Sequence, residues 1–151
     1  ADGKLLAVQS FTGRGGDWSN DGLLASDGSL RLDLSGGYRG NGRATSLGDF
    51  ALNAASLDLG NAASLAGGAN VTLGAGNLLV NRGRITAAGD LVASAASLNN
   101  YGTLGGDNRI VTADFDNQGG GLYASGLLSL DGQRFLNQGA AAGQGGKVGA
   151  G

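Results

Sequence analysis

Apolar and polar residues alternate along much of this chain. After Gly83 and Ile85, the residues Ala87, Gly89, Leu91, Ala93 and Ala95 fall on every second position. Gly22 and Leu24 begin a similar series that resumes at Gly28 with Leu30, Leu32 and Leu34. After Gly119 the series Leu122, Ala124, Gly126, Leu128 and Leu130 repeats it with a slip of one place. Period-two alternation predicts strands with one face buried. The slips lie beside glycines, where a bulge or turn absorbs an extra residue. Asp17, Asp21, Asp27, Arg31, Asp33, Arg82, Arg84 and Asp90 take the other parity and are predicted to point outward.

The alternating stretches belong to a larger repeat, an apolar residue followed two places on by Asn and two further on by a small residue. It occurs as Trp18-Asn20-Gly22, Leu59-Asn61-Ala63, Leu79-Asn81-Gly83, Leu98-Asn100-Gly102, Phe115-Asn117-Gly119 and Phe135-Asn137-Gly139. From Asn61 the Asn residues are 20, 19, 17 and 20 positions apart. The 41 positions between Asn20 and Asn61 leave room for one more copy, which Tyr38-Gly40-Gly42 supplies with Asn41 one place out of register. A unit of this length holds two or three short strands and cannot bury its apolar face alone, but it can when stacked on a neighbour.

The predicted fold is therefore all-β, a parallel β-helix (solenoid) of about seven coils of roughly 20 residues. Strands of successive coils would pair in parallel, about 4.8 Å apart, so that seven coils span roughly 35 Å. Identical positions would stack on themselves. Trp18, Tyr38, Leu59, Leu79, Leu98, Phe115 and Phe135 form the predicted apolar column. Asn20, Asn61, Asn81, Asn100, Asn117 and Asn137 form the predicted structural Asn column. An amide both donates and accepts, so stacked Asn side chains can bond up and down a column. Residues 17–139 make up the repeat region, 1–16 a partial N-terminal coil, and 140–151 a Gly/Ala-rich frayed or truncated segment. An open coil end exposes strand edges, so end-to-end self-association is expected.

Composition agrees. There are 32 glycines and no Pro, Cys, His or Met, and all twelve acidic residues are Asp. Good helix formers are scarce and turn residues abundant. Apolar residues make up 41% of the chain and the net charge is −2, which is not the signature of disorder. Glycine does not recur every third residue, which excludes collagen. No apolar run is long enough for a transmembrane helix. No signal peptide stands at Ala1, so an exported protein would here be represented by a piece of a longer precursor. The charge balance argues against nucleic acid as a partner.

The run from Leu79 to Leu91, Leu-x-Asn-x-Gly-x-Ile-x-Ala-x-Gly-x-Leu, resembles the filamentous haemagglutinin repeat. The resemblance covers about Asp17 to Gly139. The copies at Tyr38–Gly48 and Gly60–Gly68 depart from the pattern. The resemblance implies a right-handed parallel β-helix from an exoprotein of the two-partner secretion pathway of Gram-negative bacteria. Such proteins include adhesins and contact-dependent growth inhibition effectors, secreted or held at the cell surface. The implied partners are an outer-membrane transporter during export and a cell-surface glycan or protein receptor. The implied role is a shaft that extends a distal domain, with an adhesive module as the alternative.

Candidate chemistry is sparse. Without His or Cys no Ser–His triad, thiol nucleophile or imidazole metal site can form. No cofactor is expected. A second alternative, a β-helical carbohydrate-active enzyme, needs clustered carboxylates. Asp114 and Asp116, which flank Phe115 and share one face of a strand, are the closest acidic pair; a solvated face is the competing account. Gly13–Asp17 and Gly105–Asp107 touch the vocabulary of calcium-binding repeats without their nine-residue period. Arg39, Arg43, Arg82 and Arg84 are the candidate ligand surface, for an acidic or sulfated glycan. The competing account is charge that merely solvates an edge. Tyr101 and Tyr123 lie off the apolar column and are expected at the surface.

Overall fold

A computed structural model describes residues 3–139 and 143–151. It contains eighteen strands in one continuous parallel sheet and no helix among the described residues. Each coil carries three strands, so the molecule is a three-sided prism. The first side holds β1 (Lys4–Ala7), β4 (Leu23–Ser26), β7 (Arg43–Ser46), β10 (Ser64–Gly67), β15 (Gly121–Ala124) and β18 (Lys147–Ala150). The second holds β2 (Phe11–Gly15), β5 (Leu30–Leu34), β8 (Phe50–Ala54), β11 (Val71–Ala75) and β16 (Leu128–Asp131). The third holds β3 (Trp18–Ser19), β6 (Gly37–Gly40), β9 (Ser56–Leu59), β12 (Leu78–Asn81) and β17 (Arg134–Gln138). In the fifth and sixth coils the sides merge into single long strands, β13 (Arg84–Asn100) and β14 (Thr103–Gln118).

Seven coils are complete, and β18 pairs with β15 to open an eighth. Residues 4–19 already make a full three-sided turn. The expected partial N-terminal coil is thus the first two sides of coil one. Of the 140–151 tail, residues 140–142 lie outside the described residues, and Lys147–Ala150 is paired strand.

The inward positions stack row upon row. On the first side Leu24, Ala44, Leu65, Ile85, Leu104 and Leu122 form one buried row. On the second side Leu32, Leu52, Leu73, Ala93 and Ile110 form another. One apolar cluster runs from Leu24 to Leu122. Each coil contributes too little apolar surface to fold alone, so its burial depends on the coil above and the coil below.

Two sequence expectations are corrected by the register. Leu57, not Leu59, joins the apolar column, between Tyr38 and Leu79. Leu59 stands in the Asn row, opposite Asn81, and Asn61 lies exposed in the corner beyond. The cause is an insertion. Two residues lie between Asn20 and Leu23, between Asn81 and Arg84 and between Asn100 and Thr103, whereas four lie between Leu59 and Ser64. The extra pair forms a turn closed by Ala63 N–H donating to the Gly60 carbonyl. Insertion of two residues carries the 59–63 match past its row without inverting any side chain in β10.

A second change of length falls between coils five and six. Pairing of β13 with β14 shifts between Thr86 and Asp90, where Ala87–Gly89 oppose the single residue Gly106. Gly106 has φ +133, a conformation that side-chain-bearing residues rarely adopt. This shortening accounts for the 17-residue gap between Asn100 and Asn117.

A stacked core makes a central position costly to empty. Leu73→Ala is expected to lower stability by about 2–5 kcal/mol, measured by urea denaturation. Leu47→Ala, at an exposed corner, is expected to stay within about 0.5 kcal/mol.

Candidate functional site

The most organised polar chemistry is internal. The side chains of Asn81, Asn100, Asn117 and Asn137 form an unbroken ladder. Each Nδ2 donates to the next Oδ1, at 2.9, 2.8 and 2.9 Å. The second N–H is also used in Asn81, Asn100 and Asn117. Asn81 donates it to the Thr103 carbonyl at 3.1 Å and Asn100 to the Gly121 carbonyl at 3.2 Å. Gly83 N–H donates to Asn81 Oδ1 at 3.1 Å. Asn81 and Asn100 therefore each tie the third corner of their own coil to the first strand of the second coil on. Asn81, Asn100 and Asn117 are buried, and a buried amide without such partners would be costly.

The ladder does not reach the N-terminal coils. Gly40 and Leu59 occupy its row there. A Cβ at Gly40 would stand 2.1 Å from the Asn20 carbonyl oxygen, and its φ is +136, so glycine alone fits. Asn20 instead donates to the Tyr38 hydroxyl at 3.1 Å and to the Arg43 carbonyl at 3.1 Å. Burial pushes the Tyr38 phenol above its ordinary pKa, the bond from Asn20 opposes this, and the Asp21 charge adds to the rise.

Other corners have clamps of their own. Ser26 donates its hydroxyl to the Gln9 and Ser29 carbonyls, both at 3.0 Å. Asp17, Asp21, Asp49, Asn70 and Asp107 each accept a backbone N–H from the following coil. Asn108 had no place in the sequence reading. It stands in the apolar row between Leu91 and Leu128. Its Nδ2 donates to the Gly106 carbonyl at 2.8 Å and the Tyr123 carbonyl at 2.7 Å, which holds the shortened corner. Its Oδ1 is buried without a partner. The short spacing to Asn117 was the one available signal of this shortened corner.

At its C-terminal end the apolar column closes in stacked rings, buried Phe115 against Phe135 with centroids 5.0 Å apart. Phe11 meets Trp18 edge-on at 6.4 Å. Asp114 and Asp116 both project outward, and each is engaged: Asp114 pairs with Arg134 at 3.2 Å, and Asp116 accepts from Gln138 at 3.0 Å. No group of three or more acidic side chains capable of holding a metal occurs among the described residues.

The structure divides the four candidate arginines. Arg43, Arg82 and Arg84 border one shallow depression together with Asn61, Ser64 and Thr103. Arg39 lies around the corner on the third side, in a depression shared with Asp21 and Asp58. Arg82 stands between the two, paired with Asp58 and with its guanidinium 5.7 Å from the Tyr101 ring centroid. Tyr101 and Tyr123 are 42% and 44% exposed.

A parallel β-solenoid with an internal amide ladder and, among the described residues, shallow surface depressions defines a class of repeat protein built by stacking. The haemagglutinin repeat model matches residues 1–54, 25–108 and 103–151, and the chain belongs to that family. Its repeats are structural, adhesin-like elements of secreted or surface exoproteins associated with two-partner secretion. No curated protein and no solved structure matches the chain. No helix among the described residues is long and apolar enough to cross a membrane.

Two outcomes follow from this geometry. Asn100→Ala strips partners from Asn81, Asn117 and the Gly121 carbonyl, and is expected to cost about 3 kcal/mol. Asn61→Ala is expected to change stability by less than about 0.5 kcal/mol; chemical denaturation measures both. The second outcome concerns pH. The unfolded chain ionises the Tyr38 phenol near the ordinary value of about 10, the folded chain only above it. Stability should be unaffected by this group below that pH and fall as pH rises past it. Tyrosinate absorbance at 295 nm should show a late component that Tyr38→Phe lacks.

Proposed function

We propose that this chain is a shaft segment of a large secreted or surface-displayed exoprotein, an adhesin or contact-dependent inhibition effector, and that it extends a distal functional domain. One observation carries the reading: a single core runs uninterrupted through the stacked coils, with each coil tied to its neighbours on all three sides. Such a body transmits position along its axis and resists bending, because a bend must break backbone pairing on one side. The family's association with two-partner secretion supports an outer-membrane transporter as the partner during export and a Gram-negative source. Stacking also suits export, since each emerging coil can template on the last.

An adhesive module is the second reading. Its support is the depression between Arg43 and Arg84 on the outer surface. The carbohydrate-enzyme reading has little support, because Asp114 and Asp116 are both taken up by neighbouring side chains.

A shaft must hold a fixed length. With spin labels at Asp27→Cys in coil two and Leu127→Cys in coil seven, five coil spacings predict a narrow distance distribution near 24 Å plus the label linkers. A broad distribution, or one centred far from this value, would sink the shaft reading.

A further inference from the structure

We propose that Asn41, at the third corner between coils two and three, is a site of spontaneous deamidation that coil stacking holds closed, so that the modification permanently records an opening of that corner. The inference is independent of the shaft and adhesive readings. Asn41-Gly42 is the one Asn-Gly pair in the sequence. In such a pair the Gly42 nitrogen can attack the Asn41 side-chain carbonyl carbon, because glycine has no side chain to block the approach. A bond forms from that nitrogen to Cγ, the Cγ–Nδ2 bond breaks, and Nδ2 leaves as ammonia with the proton from Gly42. Water then opens the five-membered imide at either carbonyl. One opening gives aspartate at position 41. The other gives isoaspartate, in which the backbone runs through the former side chain and is longer by a methylene.

Asn41 is exposed, so water reaches the site. The fold blocks the reaction at both ends of the bond that must form. Gly42 is buried, and its N–H donates to the Asn20 carbonyl of the corner below at 2.8 Å. A Cβ on Gly42 would lie 2.5 Å from the Gly22 carbonyl oxygen, so the backbone is closely packed there as well. The carboxamide is held from the corner above. Its Oδ1 accepts the Ala62 N–H at 3.4 Å and packs so closely on Gly60 that a Cβ there would collide with it. Between the two, the Asn41 N–H donates to Asp21 Oδ1 at 2.9 Å. One neighbouring corner thus clamps the nucleophile and the other clamps the carbon it must reach. Attack requires the Gly42 N–H to leave the Asn20 carbonyl, so the corner has to open first.

Once the reaction has run, the corner does not close as it was built. Only Asn41 and Gly42 lie between β6 and β7, so the connection has no slack. Isoaspartate lengthens it, and the N–H groups at 41 and 42 can no longer both meet partners set at a fixed coil spacing. Aspartate keeps an acceptor for Ala62 but places a second carboxylate one coil from that of Asp21, and like charges on paired strands repel. A transient opening is thereby converted into a lasting defect between coils.

The test follows the whole 151-residue chain at mildly alkaline pH, folded and in urea. Peptide mass mapping reads the gain of mass at Asn41, and isoaspartyl methyltransferase labelling reads the isomer. In urea Asn41 should be the fastest asparagine to react. In the folded chain it should react at least about tenfold more slowly, since the corner is closed most of the time. Asp21→Ala removes the clamp on the Asn41 N–H and should speed the folded reaction about fivefold, the worth of one hydrogen bond. Asp21→Asn loses the charge but keeps an acceptor oxygen, and should stay within about twofold. Asp107→Ala removes a similar clamp, on Gly126 at a different corner, and should also stay within about twofold. All variants should react alike in urea. Hydrogen exchange at Gly42 in the unaltered chain reads the same opening without any mutation, and its protection should match the slowing within about threefold. The proposal is overturned if folded and unfolded chains react at the same rate, if protection and slowing disagree, or if Asp107→Ala speeds the reaction as much as Asp21→Ala. It is also overturned if the modified fraction, separated by its added charge, still protects the Gly42 N–H.

Discussion

The constraint behind this structure is parallel pairing of each coil with the next at a fixed spacing. Because side chains alternate with period two, a slip of one residue within a strand would turn its apolar set outward. Changes of length must therefore be taken up at corners. Some corners change by one residue, as where four positions lead from Asn117 to Gly121 against three from Asn100 to Thr103, and two change by two residues: Asn61 and Ala62 are added at one, and Gly106 replaces Ala87–Gly89 at another. Changes of two preserve parity, so β10 and the later part of β14 keep their apolar residues inward. The amide ladder is a consequence of the same pairing. Once one buried Asn has stacked on another, each further copy satisfies the orphan groups of its predecessor, and the row continues from Asn81 to Asn137.

The architecture was legible because the repeat is written several times. The copies at Leu79, Leu98, Phe115 and Phe135 align in the structure as they align in the sequence. Where one copy carries a local accident, the sequence misleads. Leu59-Asn61-Ala63 matches the motif, yet Leu57-x-Leu59 occupies the rows of Leu79-x-Asn81. Nothing within a single copy separates these two registers. They differ in whether two residues are spent in the corner, and that is decided by the pairing of β10 with β7 and β13 on either side. Asn108 was illegible for a related reason. An Asn in an apolar row becomes acceptable only because a two-residue shortening brings the carbonyls of Gly106 and Tyr123 within reach.

The candidate surface was half legible. Parity alone placed Arg82 and Arg84 outside. It could not assign outward residues to a side of the prism, since that depends on where the corners fall. Arg39 and Arg43 are four positions apart in sequence, and a corner lies between them. One joins the third side beside Asp58, the other the first side beside Ser64. Arg43 and Arg84 are 41 positions apart and become next-but-one neighbours. Distance along the chain is therefore a poor guide to surface chemistry in a solenoid, and phase within the coil is the better one.

Stacking also bears on how such a molecule acquires a binding surface at all. A compact enzyme concentrates varied groups in a cleft, whereas the described residues of this body form shallow depressions along its coils. What it can do is repeat. Any outward residue that recurs at the same phase becomes part of a row whose pitch is set by the backbone, whatever the side chain. On the second side Arg31 and Asp33 sit two positions apart on one strand and neutralise each other. On the first side the cations and the carboxylates fall at different phases, six positions apart between Arg84 and Asp90 and between Arg43 and Asp49. At about 3.3 Å per extended residue that separation exceeds the reach of an ion pair, so their charges are left to solvent or a partner. The spacing that the core imposes thus determines which charges cancel within the chain and which remain available along its length.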